Sequence, residues 1–128
     1  MTCATCDSTD RTIAIGEDKV VKVTVYESSE ENAAEQILDG FRLILVIAAA
    51  DTTAPLLTKD TDAGVQKAEV VNQTTYPGQC WFYLTHADTA DLEAGTYDME
   101  VWLDDGTNTR ERVLDTTITV DGAIEVPW

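Results

Sequence analysis

The stretch TADLEAGTYDMEVWLDDGTNTR, residues 89–110, runs through a loop, a glycine, a tyrosine, an alternating segment and a tight reversal. From Thr96 onward the residues alternate. Tyr97, Met99, Val101 and Leu103 share one face, and Thr96, Asp98, Glu100 and Trp102 share the other. A period of two marks a half-buried strand, since successive side chains of an extended chain point to opposite sides. The Asp-Gly pair at 105–106 carries hairpin-turn chemistry, and RERVLDTTITV, residues 110–120, returns as the partner strand.

The same period extends outward along the chain. KVVKVTVY (19–26) sets Val21, Val23 and Val25 against Lys22, Thr24 and Tyr26. FRLILVIAAA (41–50) is apolar on both faces apart from Arg42, which reads as a central strand covered on both sides. APLLTK (54–59), led by Pro55, reads as an edge strand. VQKAEVV (65–71) and QCWFYLT (79–85) are two more, divided by NQTTYPG with its Pro77-Gly78 turn. ESSEENAAEQILDG (27–40) is either a short helix, with Ser28 and Glu31 as a capping box, or an acidic loop. Short strands separated by regular turn signals predict an all-β protein, an immunoglobulin-like antiparallel β-sandwich of about seven or eight strands. Its expected limits are an arm at 1–18 with room for a first strand, the sandwich at 19–120 and a tail at 121–128. In such sandwiches a tyrosine near the start of a late strand hydrogen-bonds back to the loop before it. Leu92, Gly95 and Tyr97 have that spacing. Leu92 would anchor the loop in the core, Gly95 permit the bend, and Tyr97 close it through a hydroxyl with a buried partner. The competing role for Tyr97 is contact with a ligand.

Composition bounds the partners. The 128 residues include 24 acids and eight bases, a formal charge of −16 spread along the whole chain. Binding to nucleic acid needs clustered Lys and Arg to release counterions. Here Arg11, Lys19, Lys22, Arg42, Lys59 and Lys67 stand apart, and Arg110 and Arg112 flank Glu111. Nucleic acid and anionic membrane are therefore not expected partners, and the acidity favours solubility and resistance to self-association. The longest apolar run, Leu43–Ala50, is too short to cross a bilayer. The first 20 residues lack the basic start and apolar block of a secretory signal.

Chemistry-bearing groups are sparse, and no enzyme is predicted. His86 has Asp88 and Thr89 nearby but no nucleophile motif, and reads as an exposed loop histidine. The acid pairs Asp104-Asp105 and Asp60-x-Asp62 suggest a glycosidase or a calcium loop. DTDAG places glycine where the fifth calcium ligand belongs, and no glutamate follows at the twelfth position. Asn72-Gln73-Thr74 is a formal glycosylation sequon. The sequence predicts no catalytic residues, no cofactor and no metal. Cys3-x-x-Cys6 and Cys80 fit no thioredoxin-like junction and no paired zinc-ligand spacing. Cys80 alternates with Phe82 and Leu84 as a small buried hydrophobe. Cys3 and Cys6, on an arm with no apolar period, are candidates for disulfides between subunits, against free or internally paired thiols. Trp128 ends an apolar tail, IEVPW, and is a candidate interface anchor, against folding back on its own core. Trp81, Tyr83 and Trp102 face outward from their strands and would suit a carbohydrate-binding module if the fold gathered them.

The segments VVKVTVYES, LDGFRLILVIAAADTTAPLLTKDTDAGVQ and CWFYLTHADTADLEAGTYDMEVWLDDGTNTRERVLDTTITV, taken together, resemble a β-sandwich module of tailed-bacteriophage virion proteins. The edge strand PLLTK, the corner LTHADTADLEAGTYDMEV and the closing hairpin carry the resemblance, which covers residues 19–120. Baseplate upper proteins, in their N-terminal domain, and small capsid-attached proteins contain such modules. The resemblance implies assembly rather than catalysis, and partners among other virion proteins, foremost the major capsid protein, and copies of the chain itself. It implies residence in a virion assembled in the host cytoplasm, where thiols stay reduced. The chain stops soon after the sandwich, unlike baseplate members with long C-terminal extensions. A capsid decoration or cement protein on the outer surface is therefore expected ahead of a tail, neck or baseplate adaptor.

Overall fold

Each long alternating stretch becomes a strand, and the strands form two facing sheets. The computed structural model describes residues 3–6, 11–62, 68–107 and 109–122. Its elements in chain order are β1 (Cys3–Cys6), β2 (Thr12–Ala14), β3 (Lys19–Tyr26), β4 (Arg42–Ala49), β5 (Pro55–Asp60), β6 (Ala68–Val70), β7 (Gln79–Leu84), a single helical turn α1 (His86–Thr89), β8 (Gly95–Asp104) and β9 (Arg110–Asp121). One sheet has the order β1-β3-β7-β6 and the other β2-β9-β8-β4-β5. That is the A-B-E-D and G-F-C arrangement of immunoglobulin-like sandwiches, with the first strand divided between the sheets and an added strand beyond C.

The core lies where the inward rows meet. Val21, Val23 and Val25 of β3 and Cys80, Phe82 and Leu84 of β7 face Leu43, Leu45 and Ile47 of β4 and Met99, Val101 and Leu103 of β8, all buried. Ile13, Ile118 and Val120 close one side, and Leu38 plugs the core from the loop before β4. β8 and β9 carry the longest ladder, from Gly95↔Val120 to Asp104↔Arg110, with one irregularity at Val101/Trp102. At the reversal Gly106 adopts φ +83°, and the Asp105 carboxylate accepts the Thr107 N–H at 2.9 Å.

Two features differ from the sequence reading, one open choice is settled, and one expectation falls outside the described residues. Nine strands form among the described residues rather than seven or eight. The additional ones fall in the segment read as an arm: β1 pairs antiparallel with β3, and β2 runs parallel to β9. Ala4 is buried and Ile13 is 1% exposed, so one small or branched side chain per strand holds each to the core without a visible period. Second, β4 is central, between β8 and β5, yet among the described residues it is covered on one side only. Its outer residues Ile44, Val46 and Ala48 are half-buried. Third, of the two readings of residues 27–40 the acidic loop forms: Tyr26 bridges Glu35, and Asn32 takes φ +65°. The helical turn arises instead at α1, where the Asp88 carboxylate accepts the Thr85 N–H at 2.7 Å. Fourth, the tail from residue 123, including Trp128, lies outside the described residues.

Candidate functional site

The corner before β8 is built from three residues. Leu92 is half-buried against the core, and its N–H donates to the Thr89 carbonyl at 3.0 Å. Gly95 has φ +157° with open space around it, so its role is conformational rather than steric. The Tyr97 ring packs on the core while its hydroxyl donates to the Glu93 carbonyl at 2.6 Å. Glu93 is exposed, which corrects the expectation of a buried partner.

The thiols do not converge. In β1 Ala4 and Cys6 face the core, so Cys3 faces the opposite way. Residues three apart in a strand are about 10 Å apart, beyond the roughly 7 Å limit for bridging. A Cys3–Cys6 ring therefore cannot form while β1 holds. Cys80 is fully buried on β7, and burial pushes its thiol up, with Glu69 adding to the effect. Cys6 and Cys80 flank Val23 in adjacent register, two strand spacings apart. No metal-binding group of His, Cys, Asp and Glu exists among the described residues.

The aromatic residues divide between two faces. Trp81 and Tyr83 lie outside the four-stranded sheet and Trp102 outside the five-stranded one, so they cannot form one platform. Lys22 Nζ sits 4.6 Å from the Trp81 ring centroid, and Tyr76 packs against the same ring at 5.3 Å. The Tyr83 hydroxyl donates to Glu69, which pushes its pKa up to about 12.

The acids singled out in the sequence are engaged within the fold. Arg42 grips Asp60 with Nε and Nη2, both on one guanidinium edge, the Nε–Oδ1 distance being 2.9 Å, and reaches Asp62 at 3.7 Å. The hydrogen bond from Arg42 holds the Asp60 carboxyl below the usual carboxylate range. Asp104 accepts from Gly106 N–H and Arg110. His86 Nδ1 lies 3.0 Å from Asp18, while Asp88 pairs with Lys59 at 2.9 Å and the Thr89 hydroxyl accepts from Gly16 N–H. The three neighbours in sequence therefore serve three different contacts.

Two polar devices escaped the sequence reading. Lys59 is 4% exposed and crosses the sandwich from edge strand β5 to α1. Gln73, inside the sequon, is buried: its Oε1 accepts from Leu38 and Gly78 N–H, and its Nε2 donates to the Val71 and Gln79 carbonyls. An isolated lysine in an edge strand and a glutamine in a turn-rich segment give no pattern from which burial could be inferred.

The outer face of the five-stranded sheet is its least conventional surface. Ile44, Val46 and Ala48 run down its middle, with exposed Trp102 and Leu56 nearby. In register across β8 and β9 stand Asp98 beside Thr117, Glu100 beside Asp115, and Trp102 beside Arg112. Glu100 accepts from Trp102 Nε1 and Arg112, each at 3.0 Å. A shallow depression is lined by Val46, Ala48, Thr52, Thr53, Asp98 and Glu100.

No family model and no curated protein matches the chain. Among solved structures, the X-ray structure of the endo-β-1,4-mannanase from Thermotoga petrophila is similar, with a TM-score of 0.52 and 13% identity. The match covers 98% of this chain and 20% of that one, so the chain spans about a fifth of its length. At this identity the likeness shows the fold alone.

Proposed function

We propose that the protein is a non-enzymatic structural component of a tailed-bacteriophage virion, a decoration or cement protein on the outside of the capsid. What carries this reading is the resemblance over residues 19–120, whose corner and closing hairpin form β8, β9 and the loop before them in one sandwich. The acids that might have served catalysis are held by Arg42, Lys59 and the hairpin turn, which supports assembly over chemistry. A charge of −16 favours a position away from packaged DNA. The partners are the major capsid protein and copies of the chain. Proteomics of separated heads and tails tests the reading. Stoichiometric recovery with heads, and density on the outer shell by electron microscopy, is the expected result. Recovery with tails alone would transfer the protein to the tail, neck or baseplate alternative, and absence from particles would end the virion reading. A carbohydrate-binding role is less well supported, because Trp102 is separated from Trp81 and the Trp81 ring already carries Lys22 and Tyr76.

A further inference from the structure

We propose that the outer face of the five-stranded sheet docks a basic segment of another protein, one of whose lysine or arginine side chains enters the depression beside Asp98. The floor is aliphatic, made by Val46 and Ala48 of β4. One rim carries the carboxylates of Asp98 and Glu100, two residues apart on the same face of β8, and the other carries Thr52 and Thr53. Glu100 is already engaged by Trp102 and Arg112. Asp98, by contrast, has no side-chain hydrogen bond or ion pair among the described residues. A long basic side chain matches both parts. Its methylene stem lies on aliphatic surface while its head stays at the polar rim, and a charge-assisted bond to a carboxylate is stronger than a neutral one. Trp102 and Leu56, both exposed, extend the apolar contact on either side.

Charge complementarity selects this occupant over the alternatives. An acidic segment or a nucleic acid would meet Asp98, Glu100 and Asp115. A second copy brings the same carboxylates, and its Arg112 is committed to Glu100 and Asp115; opposing like charges is costly at an interface. The proposal rests on the assembly reading only for the partner's identity, a virion protein with a basic, partly apolar strand or loop.

The test uses the full chain, 15N-labelled, and three peptides: Ac-Thr-Val-Lys-Val-Thr-NH2, its arginine counterpart and its glutamate counterpart. Each is taken to about 10 mM, enough to reveal a millimolar Kd. The lysine and arginine peptides should shift the amides of Val46, Ala48, Thr52, Asp98 and Glu100, and the glutamate peptide should leave them in place. Asp98→Lys should weaken the response by about tenfold or more, the loss of a charge-assisted contact. Asp98→Asn, nearly isosteric, serves the same purpose if the reversal perturbs folding. An equal response to the glutamate peptide, shifts confined to the other sheet, or no shift overturns the proposal. So does sedimentation showing a dimer that broadens these same amides. Peptide binding by a chain absent from particles sinks the virion reading alone. A chain present in heads that ignores the peptides sinks the docking proposal alone.

Discussion

At Gln73 one amide satisfies four backbone groups, tying the loop after β6 to the loop before β4. Gly78 completes the arrangement: at φ +78° an added Cβ would stand 2.7 Å from the Val25 carbonyl oxygen, so no larger residue fits there. Gln73→Leu keeps the volume and removes the partners of two buried N–H groups. It should destabilise by about 2–6 kcal/mol, since each of the two unsatisfied buried donors costs about 1–3 kcal/mol. Urea unfolding with an unchanged m-value is the measurement, and a midpoint equal to the parent's would dismiss the role. Tyr97→Phe is milder. The Glu93 carbonyl is on an exposed residue and can turn to water, so about 0.5–1.5 kcal/mol is expected, the net worth of an ordinary hydrogen bond. A variant that melts like the parent yet fails to enter particles would make Tyr97 an interface residue instead of a joint.

At the scale of elements, legibility followed the period. β3, β8 and β9 alternate with inward Val, Met, Leu and Ile and were readable, as were the edge position of β5 and the Asp-Gly reversal. β4 misled because an apolar run does not say which face is covered. Leu43, Leu45 and Ile47 are buried, while Ile44, Val46 and Ala48 await a partner or remain half in water. β1 and β2 are too short for a period to appear, and their pairing depends on β3 and β9, far away in sequence. The corner residues could be placed because their roles are local. Lys59–Asp88 and the Gln73 network could not, because long-range partners alone give them meaning. The strand geometry of β1 also sharpens the cysteine expectation. Cys3 points away from the core and Cys6 toward it, so on the proposed virion role cross-links between subunits should run through Cys3. On non-reducing gels a heavier species should vanish in Cys3→Ser and persist in Cys6→Ser; the reverse pattern would refute the orientation.

For the whole molecule, charge and pH act in opposition. Among the described residues three carboxylates are held below the ordinary aspartate value of 3.8: Asp60 by the Arg42 hydrogen bond, Asp105 by the Thr107 N–H, and Asp88, against the opposing effect of burial, by Thr85 and Lys59. A depressed carboxylate contributes stability that is complete above the unfolded pKa and lost as pH falls through the folded one. That loss lies below pH 3.8. Above it, a charge of −16 at pH 7 and a pI near 4.1 mean that acidification first relieves self-repulsion. Stability in urea should therefore rise modestly from pH 7 toward pH 5 and fall steeply below about pH 4. Added salt should mimic the rise at pH 7 by screening. A monotonic fall from pH 7 would show that repulsion is negligible. The division of the first strand between the sheets has a mechanical consequence. β2 and β9 run parallel, from Thr12↔Thr119 to Ala14↔Asp121. The start of one and the finish of the other therefore lie at opposite ends of the pair. Tension applied at Arg11 and Gly122 would slide the two past each other, and their bonds would have to break together. Tension at Arg42 and Asp60, which sit at the same open end of the β4–β5 hairpin, would peel its bonds one after another. In an optical trap the first geometry should therefore rupture at the higher force, which would make the sandwich stiff along one direction and yielding along another.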